Sequence, residues 1–202
     1  MTEKELVQAA RRGSDSAFEE LVRLYEKKVY HLSLRMCGSS DDAFEIAQEA
    51  FLSAWRGLKF FRGDSSFSTW LYRLTSNTAI DFLRRKRRQS AMEQVSLDDE
   101  ETYIEPPDPM PTPHQHAERQ ELRRLLSAGL DTLTPEHRQV LLLRELQGMS
   151  YEEIAEALEL DLGTVKSRIA RAREKLRKYL LQNGNFSGYL PSNTADKPGR
   201  EG

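Results

Sequence analysis

The sequence predicts an all-α protein made of two small helical domains joined by a flexible linker that is acidic and rich in proline. Three observations lead to this fold class. Apolar residues recur at helical spacing through most of the 202 residues. Residues 89 to 117 break that pattern with seven acids, five prolines and neither lysine nor arginine. The segment 150–180 then carries two apolar stripes separated by a short break, which predicts a helix-turn-helix.

Composition limits the possible functions. The formal net charge of -2 averages two basic stretches against the acidic middle, so the distribution of charge is more informative than its sum. The single cysteine, Cys37, excludes an internal disulfide. No stretch is long and apolar enough for a membrane span, and the N-terminus is charged throughout. We therefore expect a soluble cytoplasmic protein with no membrane insertion.

The first two helices are predicted from their ends. Thr2 and Glu5 have the spacing of a capping box, and Gly13 is the predicted stop of that helix. Ser16 is the predicted start of the second helix, which continues for about five turns. Gly38 ends it.

A third helix follows Ser39 and Ser40 and is predicted to stop near Gly57. Its inward face would be made mainly of small and apolar residues: Ala43, Ile46, Ala47, Ala50, Phe51 and Ala54. Its other face would carry polar and acidic residues: Asp42, Glu45, Gln48 and Glu49.

The loop from Lys59 to Ser66 contains the adjacent aromatic residues Phe60 and Phe61 beside Arg62. Two interpretations stay open. Both rings fold back onto the core, or aromatic and basic groups together form a surface for unpaired bases.

A fourth helix is predicted from about Ser68 to Arg88. Trp70, Arg73 and Asn77 fall on a different face from the apolar stripe, and we expect Trp70 and Asn77 to be exposed. The helix ends in five consecutive positive charges, RRKRR, which suits contact with a DNA backbone.

Regular structure is predicted to resume at Glu118, after the linker. Leu122, Leu125, Leu126 and Leu130 would form a buried side. Thr134 followed by Pro135 is a favoured pairing for the start of the next helix, which Val140, Leu141, Leu143 and Leu146 carry to Gly148. The residues after Gln182 are rich in glycine, serine, asparagine and proline, and we expect them to be disordered.

The helix-turn-helix is the best-defined motif. Ser150 and Glu153 make a capping box that starts a helix at Tyr151, and the predicted break runs from Glu159 to Leu162. The second helix carries seven basic residues against the single acid Glu174. That face suits a groove lined by phosphates.

Catalytic and metal-binding patterns are lacking in the sequence: it has no phosphate-binding glycine loop and no nucleophile elbow. His114 and His116 have no cysteine or carboxylate partners to complete a metal site. We therefore predict a binding protein that is not an enzyme and needs no cofactor.

Three stretches together resemble the sigma factors of bacterial RNA polymerase, in the small extracytoplasmic-function subgroup of the sigma-70 family. DDAFEIAQEAFLSAWRGL resembles the helix that binds the polymerase largest subunit. FFRGDSSFSTWLYRLTSNTAIDFLRRKRR resembles the segment that opens and reads the minus 10 promoter element. LTPEHRQVLLLRELQGMSYEEIAEALELDLGTVKSRIARAREKLR resembles the domain that reads the minus 35 element.

The resemblance implies a domain organisation, with a minus 10 domain at 1–88, a linker at 89–117 and a minus 35 domain at 118–181. The implied partners are core RNA polymerase, double-stranded promoter DNA, single-stranded nontemplate DNA of the minus 10 element and an anti-sigma factor. The implied site residues fall into three groups. The polymerase group is Asp42, Gln48, Glu49, Phe51 and Trp55. The minus 10 group is Phe60, Phe61, Arg62, Ser66, Phe67, Trp70, Asn77, Arg84, Arg85 and Arg88. The minus 35 group is Thr164, Lys166, Ser167, Arg168, Arg171 and Arg173.

Asn77 has a more specific expected role. Together with the loop from Arg62 to Ser68, it would hold an extruded base of the nontemplate strand. The alternative is that its amide only hydrogen-bonds the loop backbone and maintains the loop's shape.

Two other functions stay possible at the level of sequence. A two-domain helix-turn-helix regulator would use its N-terminal half to sense a ligand. A purely structural helical adaptor would leave the basic helix unexplained.

Overall fold

The fold was analysed in a computed structural model, which describes the backbone of residues 1–93 and 113–184 and the side chains of residues 1–89 and 120–184. Within these ranges all regular structure is helical, which confirms the predicted fold class. The helices are α1 (Glu3–Arg11), α2 (Asp15–Cys37), α3 (Ser40–Gly57), a 3-10 turn (Leu58–Phe60), α4 (Phe67–Glu93), α5 (Pro113–Asp131), α6 (Pro135–Glu145), α7 (Tyr151–Leu158) and α8 (Leu162–Asn183).

The N-terminal half, α1 to α4, is built around α2. This helix packs against α1, α3 and α4, and its Leu21, Val29 and Leu32 are fully buried. The small side chains Ala43, Ala50 and Ala54 let α3 approach closely, because all three are inaccessible to solvent. The apolar stripe predicted for α3 is therefore confirmed, although Phe51 is only partly buried.

The helix ends agree with the sequence in most places. The capping boxes at Thr2 and Ser150 are complete, Gly38 ends α2 with φ of 81°, and Thr134 caps α6 ahead of Pro135. One start was wrong. Helix α2 begins at Asp15, because Ser14 rather than Ser16 accepts the backbone hydrogen bond of Ala17. The earlier start also places the carboxylate of Asp15 in the first turn, where the helix dipole favours it.

Both helices beside the linker are longer than predicted. Helix α4 continues past Arg88 to Glu93, and α5 begins at Pro113 rather than at Glu118. A proline at the first position of a helix loses no hydrogen bond, which is why Pro113 does not delay α5. At the other end of the chain, α8 continues to Asn183, so the predicted disordered tail begins at least one residue too early. The rest of the predicted linker and the residues after Gly184 lie outside the described residues.

In the C-terminal half, α6 and α8 pack together, and α5 and α7 each contact α8. Val140, Leu143, Ile154 and Val165 form its fully buried centre. Two predicted core leucines are exposed instead.

These exposed leucines are Leu122 and Leu146, which help to line a groove between α5, α6 and α8. The groove is lined mostly by leucines and has a volume of about 750 Å³.

Candidate nucleic-acid interface

The helix-turn-helix consists of α7 and α8, and the turn between them is one residue shorter than predicted. Glu159 ends α7 with φ of 54°, the only positive φ of a non-glycine residue in the described part of the chain. Asp161 then caps α8 by accepting hydrogen bonds from the hydroxyl and the amide of Thr164, and these bonds lower the pKa of its carboxyl. The start of the basic helix is thus held by side-chain chemistry local to the turn.

The outer surface of α8 presents most of the predicted minus 35 residues. Val165, Ile169 and Ala172 face the core, whereas Lys166, Ser167 and Arg171 are exposed. Ser167 and Arg171 are four residues apart, so they lie one above the other on the same row of the helix. Thr164 and Arg168 are partly buried beside this row.

Arg173 does not belong to this exposed row. Its Nε donates to Oε1 of Glu145 on α6 at 2.9 Å, and its Nη1 lies 3.5 Å from the hydroxyl of Tyr151. The hydrogen bond with Glu145 raises the pKa of the guanidinium. The side chain thus joins α8 to α6 while remaining about half exposed, and the minus 35 role of Arg173 stays a prediction.

The loop after α3 separates its two phenylalanines. Phe60 is 73% exposed with the Lys59 ammonium 4.8 Å from its ring centre, whereas Phe61 is 9% exposed. Phe61 therefore folds back onto the core, as the first interpretation expects. Phe60 is exposed beside a basic residue, as the second interpretation expects. Arg62 is exposed beside them.

Phe61, Phe67 and Trp70 form a buried aromatic cluster. The ring centres of Phe61 and Trp70 are 5.0 Å apart, and those of Phe67 and Trp70 are 5.8 Å apart. The expectation that Trp70 is exposed was wrong, because three large rings are most stable when they cover one another. Ser66 has a structural part as well, since its hydroxyl accepts from the amide of Thr69 at 3.0 Å and caps α4.

Asn77 lies on the exposed side of α4, but it does not face the loop. It is ten residues beyond the first residue of the helix, or about 15 Å along its axis. Its Oδ1 accepts a hydrogen bond from Nε2 of Gln139 on α6 at 2.9 Å. The alternative interpretation, a bond from the Asn77 amide to the loop backbone, is not observed among the hydrogen bonds of the described residues.

The basic end of α4 is exposed at Arg84, Arg85 and Arg88. Arg84 pairs with Glu136 of α6 at 3.4 Å, and the Arg85 guanidinium lies 5.9 Å from the ring centre of Phe82. All three side chains are exposed, but Arg84 already has two acidic partners, Glu136 and Asp81.

The predicted polymerase residues on α3 are not all equivalent. Gln48 and Glu49 are exposed, but Trp55 packs against Phe18 with ring centres 4.9 Å apart and ring planes tilted by 50°. Asp42 is also occupied, because its Oδ2 accepts from Nζ of Lys86 at 2.6 Å.

Two residues of α3 that were not predicted as site residues are large, apolar and exposed. Phe44 is 59% exposed and Leu52 is 47% exposed. With Gln48 between them, they form a row at four-residue spacing, which a search for apolar residues outside the buried stripe would have found. We call Phe44, Gln48 and Leu52 the α3 row.

The described residues were searched for a metal site and for a membrane-spanning helix. They contain no group of three histidine, cysteine or acidic side chains that could hold a metal ion. Within the same ranges, no helix is long and apolar enough to cross a membrane.

Comparison with known proteins identifies the family of this fold. The Sigma-70 region 2 model matches residues 21–89, and the Sigma-70 region 4 model matches residues 123–176. The chain is 37% identical over 186 residues to the RNA polymerase sigma-H factor of Pseudomonas aeruginosa, covering 88% of this chain and 93% of that protein. The chain belongs to the extracytoplasmic-function subgroup of the sigma-70 family.

Other relatives agree with this assignment. The sigma factor is 38% identical over 178 residues to the ECF RNA polymerase sigma-E factor of Escherichia coli K12, covering 87% of this chain and 93% of that protein. A solved structure of CnrH in complex with the cytosolic domain of CnrY matches with a TM-score of 0.66 and 27% identity, covering 90% of this chain and 99% of that chain.

The sigma factor of Bartonella quintana in complex with the anti-sigma factor NepR matches at 23% identity and a TM-score of 0.62. The match covers 82% of this chain and 98% of that chain. At this identity the match is evidence for the fold and for nothing more. The family assignment favours an initiation factor over a ligand-sensing regulator, because region 2 occupies the half in which a regulator would carry its sensor.

Proposed function

We propose that this sigma factor divides promoter recognition between two helices, with α4 reading the minus 10 element and α8 reading the minus 35 element. The observation that carries this proposal is the separation of the exposed basic side chains into two sets. One set ends α4 at Arg84, Arg85 and Arg88, and the other follows α8. A basic surface attracts any nucleic acid, and polar groups beside it supply the sequence preference.

For the minus 35 element, Lys166, Ser167 and Arg171 would enter the major groove. They lie in the first half of a recognition helix, where side chains reach base edges in helix-turn-helix proteins. Arg171 is the strongest candidate for reading a guanine, because its guanidinium is exposed and no ion pair of the described residues involves it. Arg173 would support the position of α8 from within the domain.

For the minus 10 element, Asn77 would hydrogen-bond the edge of an extruded base, and Phe60 would stack on a neighbouring base. An unstacked base loses a few kcal/mol, which a protein recovers with hydrogen bonds and ring contacts. Phe60 is the most exposed ring of the loop and lies beside basic Lys59 and Arg62. Phe61, Phe67 and Trp70 would support this loop from below.

For core polymerase, the α3 row would supply the apolar centre of the contact and Glu49 its charged edge. Exposed large apolar residues flanked by charge are typical of protein interfaces. Trp55 would support α3 through its contact with Phe18.

The groove between α5, α6 and α8 would receive an anti-sigma factor. Leucines make up most of its lining, and Arg35, Arg173 and Arg177 line it together with the single acid Glu145, so a partner with apolar and acidic side chains fits. The sigma factors of the two solved neighbours are complexed with the cytosolic domain of CnrY and with the anti-sigma factor NepR. The sigma factor itself would catalyse no reaction and would act in the cytoplasm.

Runoff transcription tests the proposal. Core polymerase is mixed with this chain and with fragmented genomic DNA, and the transcript starts are sequenced. We expect starts preceded by two shared sequence elements at constant spacing. If the chain binds duplex DNA but does not direct initiation by core polymerase, the helix-turn-helix regulator is the correct description.

A further inference from the structure

A small pocket of about 260 Å³ lies where α2, α4 and the turn after α6 meet. None of its residues belongs to the groups assigned above to DNA or to core polymerase. The lining residues are Lys27, Lys28, His31, Tyr72, Leu146 and Gln147. Two of the six are lysines, one is a histidine and none is acidic, so the pocket suits an anion better than a cation.

The lysines of this pocket have no acid to neutralise them. Lys27 and Lys28 are exposed, and no ion pair of the described residues involves either of them or His31. Arg23, on the same helix, already pairs with two glutamates. The adjacent charges of Lys27 and Lys28 repel each other, and an anion bound between them would offset that repulsion.

Tyr72 and Leu146 give the pocket a wall of different character. Tyr72 is 5% exposed, and burial, followed by the charge of Glu3, raises the pKa of its hydroxyl to about 12. The neutral hydroxyl is able to donate a hydrogen bond, while the rest of the ring is apolar. The carboxylate of Glu3, which accepts a hydrogen bond from Tyr25 at 2.6 Å, opposes an anion. Two lysines lining the pocket outweigh that one acid, which does not line it.

Gln147 adds a hydrogen-bond donor from the turn after α6. Its backbone amide donates to the carbonyl of Leu142 at 3.3 Å, and Gly148 follows with φ of 71°, which reverses the chain. The side-chain amide of Gln147 is used in no hydrogen bond of the described residues. It is therefore available to donate to an anion in the pocket.

We propose that this pocket binds a small organic phosphate. Lys27, Lys28 and His31 hold the phosphate group, and the carbon part of the molecule lies against Tyr72 and Leu146. The pocket is smaller than the roughly 300 to 1,000 Å³ of sites for drug-sized ligands, which limits the size of the molecule. A concave site with walls from three elements fits a free small molecule better than duplex DNA, which is contacted along an extended basic surface.

This inference goes beyond the proposed function, because it does not depend on promoter reading by α4 or α8. Isothermal titration calorimetry of the full chain tests it, with methyl phosphate and phenyl phosphate as probes. The two probes carry the same phosphate group and differ in the apolar part. We expect phenyl phosphate to bind at one site per chain and about tenfold more tightly than methyl phosphate, because its ring buries apolar surface against Tyr72 and Leu146.

Three variants locate the site. Lys27→Gln with Lys28→Gln should weaken the binding of phenyl phosphate about tenfold or more, because charge-assisted hydrogen bonds are lost. Lys4→Gln with Arg11→Gln is the matched control, since it removes two positive charges from exposed positions of α1 and should bind as the wild type does. Gln147→Ala should weaken binding about tenfold. Circular dichroism checks the fold of each variant.

Four results would overturn the proposal. Phenyl phosphate does not bind saturably, or equal losses in the two double variants show a response to net charge alone. Equal affinities of the two phosphates, or an unchanged affinity in Gln147→Ala, show that the walls of the pocket take no part. If the Lys27 and Lys28 double variant instead loses affinity for duplex DNA while the wild type binds no phosphate probe, these lysines contact a DNA backbone.

Discussion

Arg173 of α8 is joined to Glu145 of α6 by a hydrogen bond of 2.9 Å from Nε to Oε1. The two residues are 28 positions apart, so the bond fixes the basic helix against its neighbour. Roughly half of each side chain is exposed, and such a pair contributes only about 0 to 1 kcal/mol to stability. Its main effect is on the position of α8, and a phosphate could contact Arg173 only in competition with Glu145.

Substitutions in α8 should therefore have three different effects on duplex binding. Arg171→Ala should relax the sequence preference at one base pair, because an arginine bonded to guanine gives about 1 to 3 kcal/mol of discrimination. Arg177→Ala should weaken binding evenly and reduce the salt dependence, as expected for a phosphate contact. Arg173→Ala should leave the sequence preference unchanged.

Sequencing of the duplexes selected from a random pool by each variant measures these effects. Identical sequence profiles for Arg171→Ala and Arg177→Ala would rule out base reading by Arg171.

Replacement of Phe44 and Leu52 by alanine should weaken the binding of core polymerase about tenfold or more. The two side chains are exposed in the free chain, so their removal should cost affinity without reducing helicity. A pull-down titration with core polymerase measures the change. Leu24→Ala is the control, because Leu24 is equally exposed at 56% but lies on α2. An equal loss of affinity in the Phe44 and Leu52 double variant and in Leu24→Ala would mean that α3 has no special part in the polymerase contact.

Asn77→Ala should reduce promoter opening most strongly on the preferred minus 10 sequence. If Asn77 reads one base, promoters altered at that base have already lost the interaction and should respond less. Permanganate footprinting of the holoenzyme on matched promoters gives the extent of opening. An equal loss on every promoter, with a lower melting temperature of the chain, would show that Asn77 only stabilises the structure.

Glu159→Gly should stabilise the C-terminal half by about 1 kcal/mol, because a side chain at φ of 54° is strained and glycine is not. Glu156→Gly, in the interior of the same helix, should destabilise it by a similar amount. Urea unfolding followed by circular dichroism gives both values. A lower midpoint for Glu159→Gly would mean that the carboxylate of Glu159 makes a contribution greater than the backbone strain.

The helices were largely predictable because their signals are local. Capping residues, glycine stops and apolar periodicity each act within a few positions, and they placed Thr2, Gly38, Thr134 and Ser150 correctly. The predicted start of α2 was wrong because Ser14 and Ser16 offer nearly the same local pattern. Burial of Ala17 favours the earlier start.

The site was less predictable because exposure depends on distant partners. The spacing along α4 put Trp70 on the same side as Arg73, but the rings of Phe61 and Phe67 cover it. In the same way, only the packing of α6 could show that Arg173 hydrogen-bonds Glu145 and that Asn77 hydrogen-bonds Gln139.

The position of Trp55 and Trp70 has a practical consequence for experiments. They are the two tryptophans of the chain, and both lie in the N-terminal half. Tryptophan fluorescence, excited separately from tyrosine, therefore originates in α1 to α4, with one indole against Phe18 near the α3 row and the other beneath the loop that carries Phe60. Helices α5 to α8 contain no tryptophan, although Trp70 lines a cavity shared with residues of the α7 segment. A comparison with circular dichroism therefore follows the unfolding of the N-terminal half against that of the whole chain without any label.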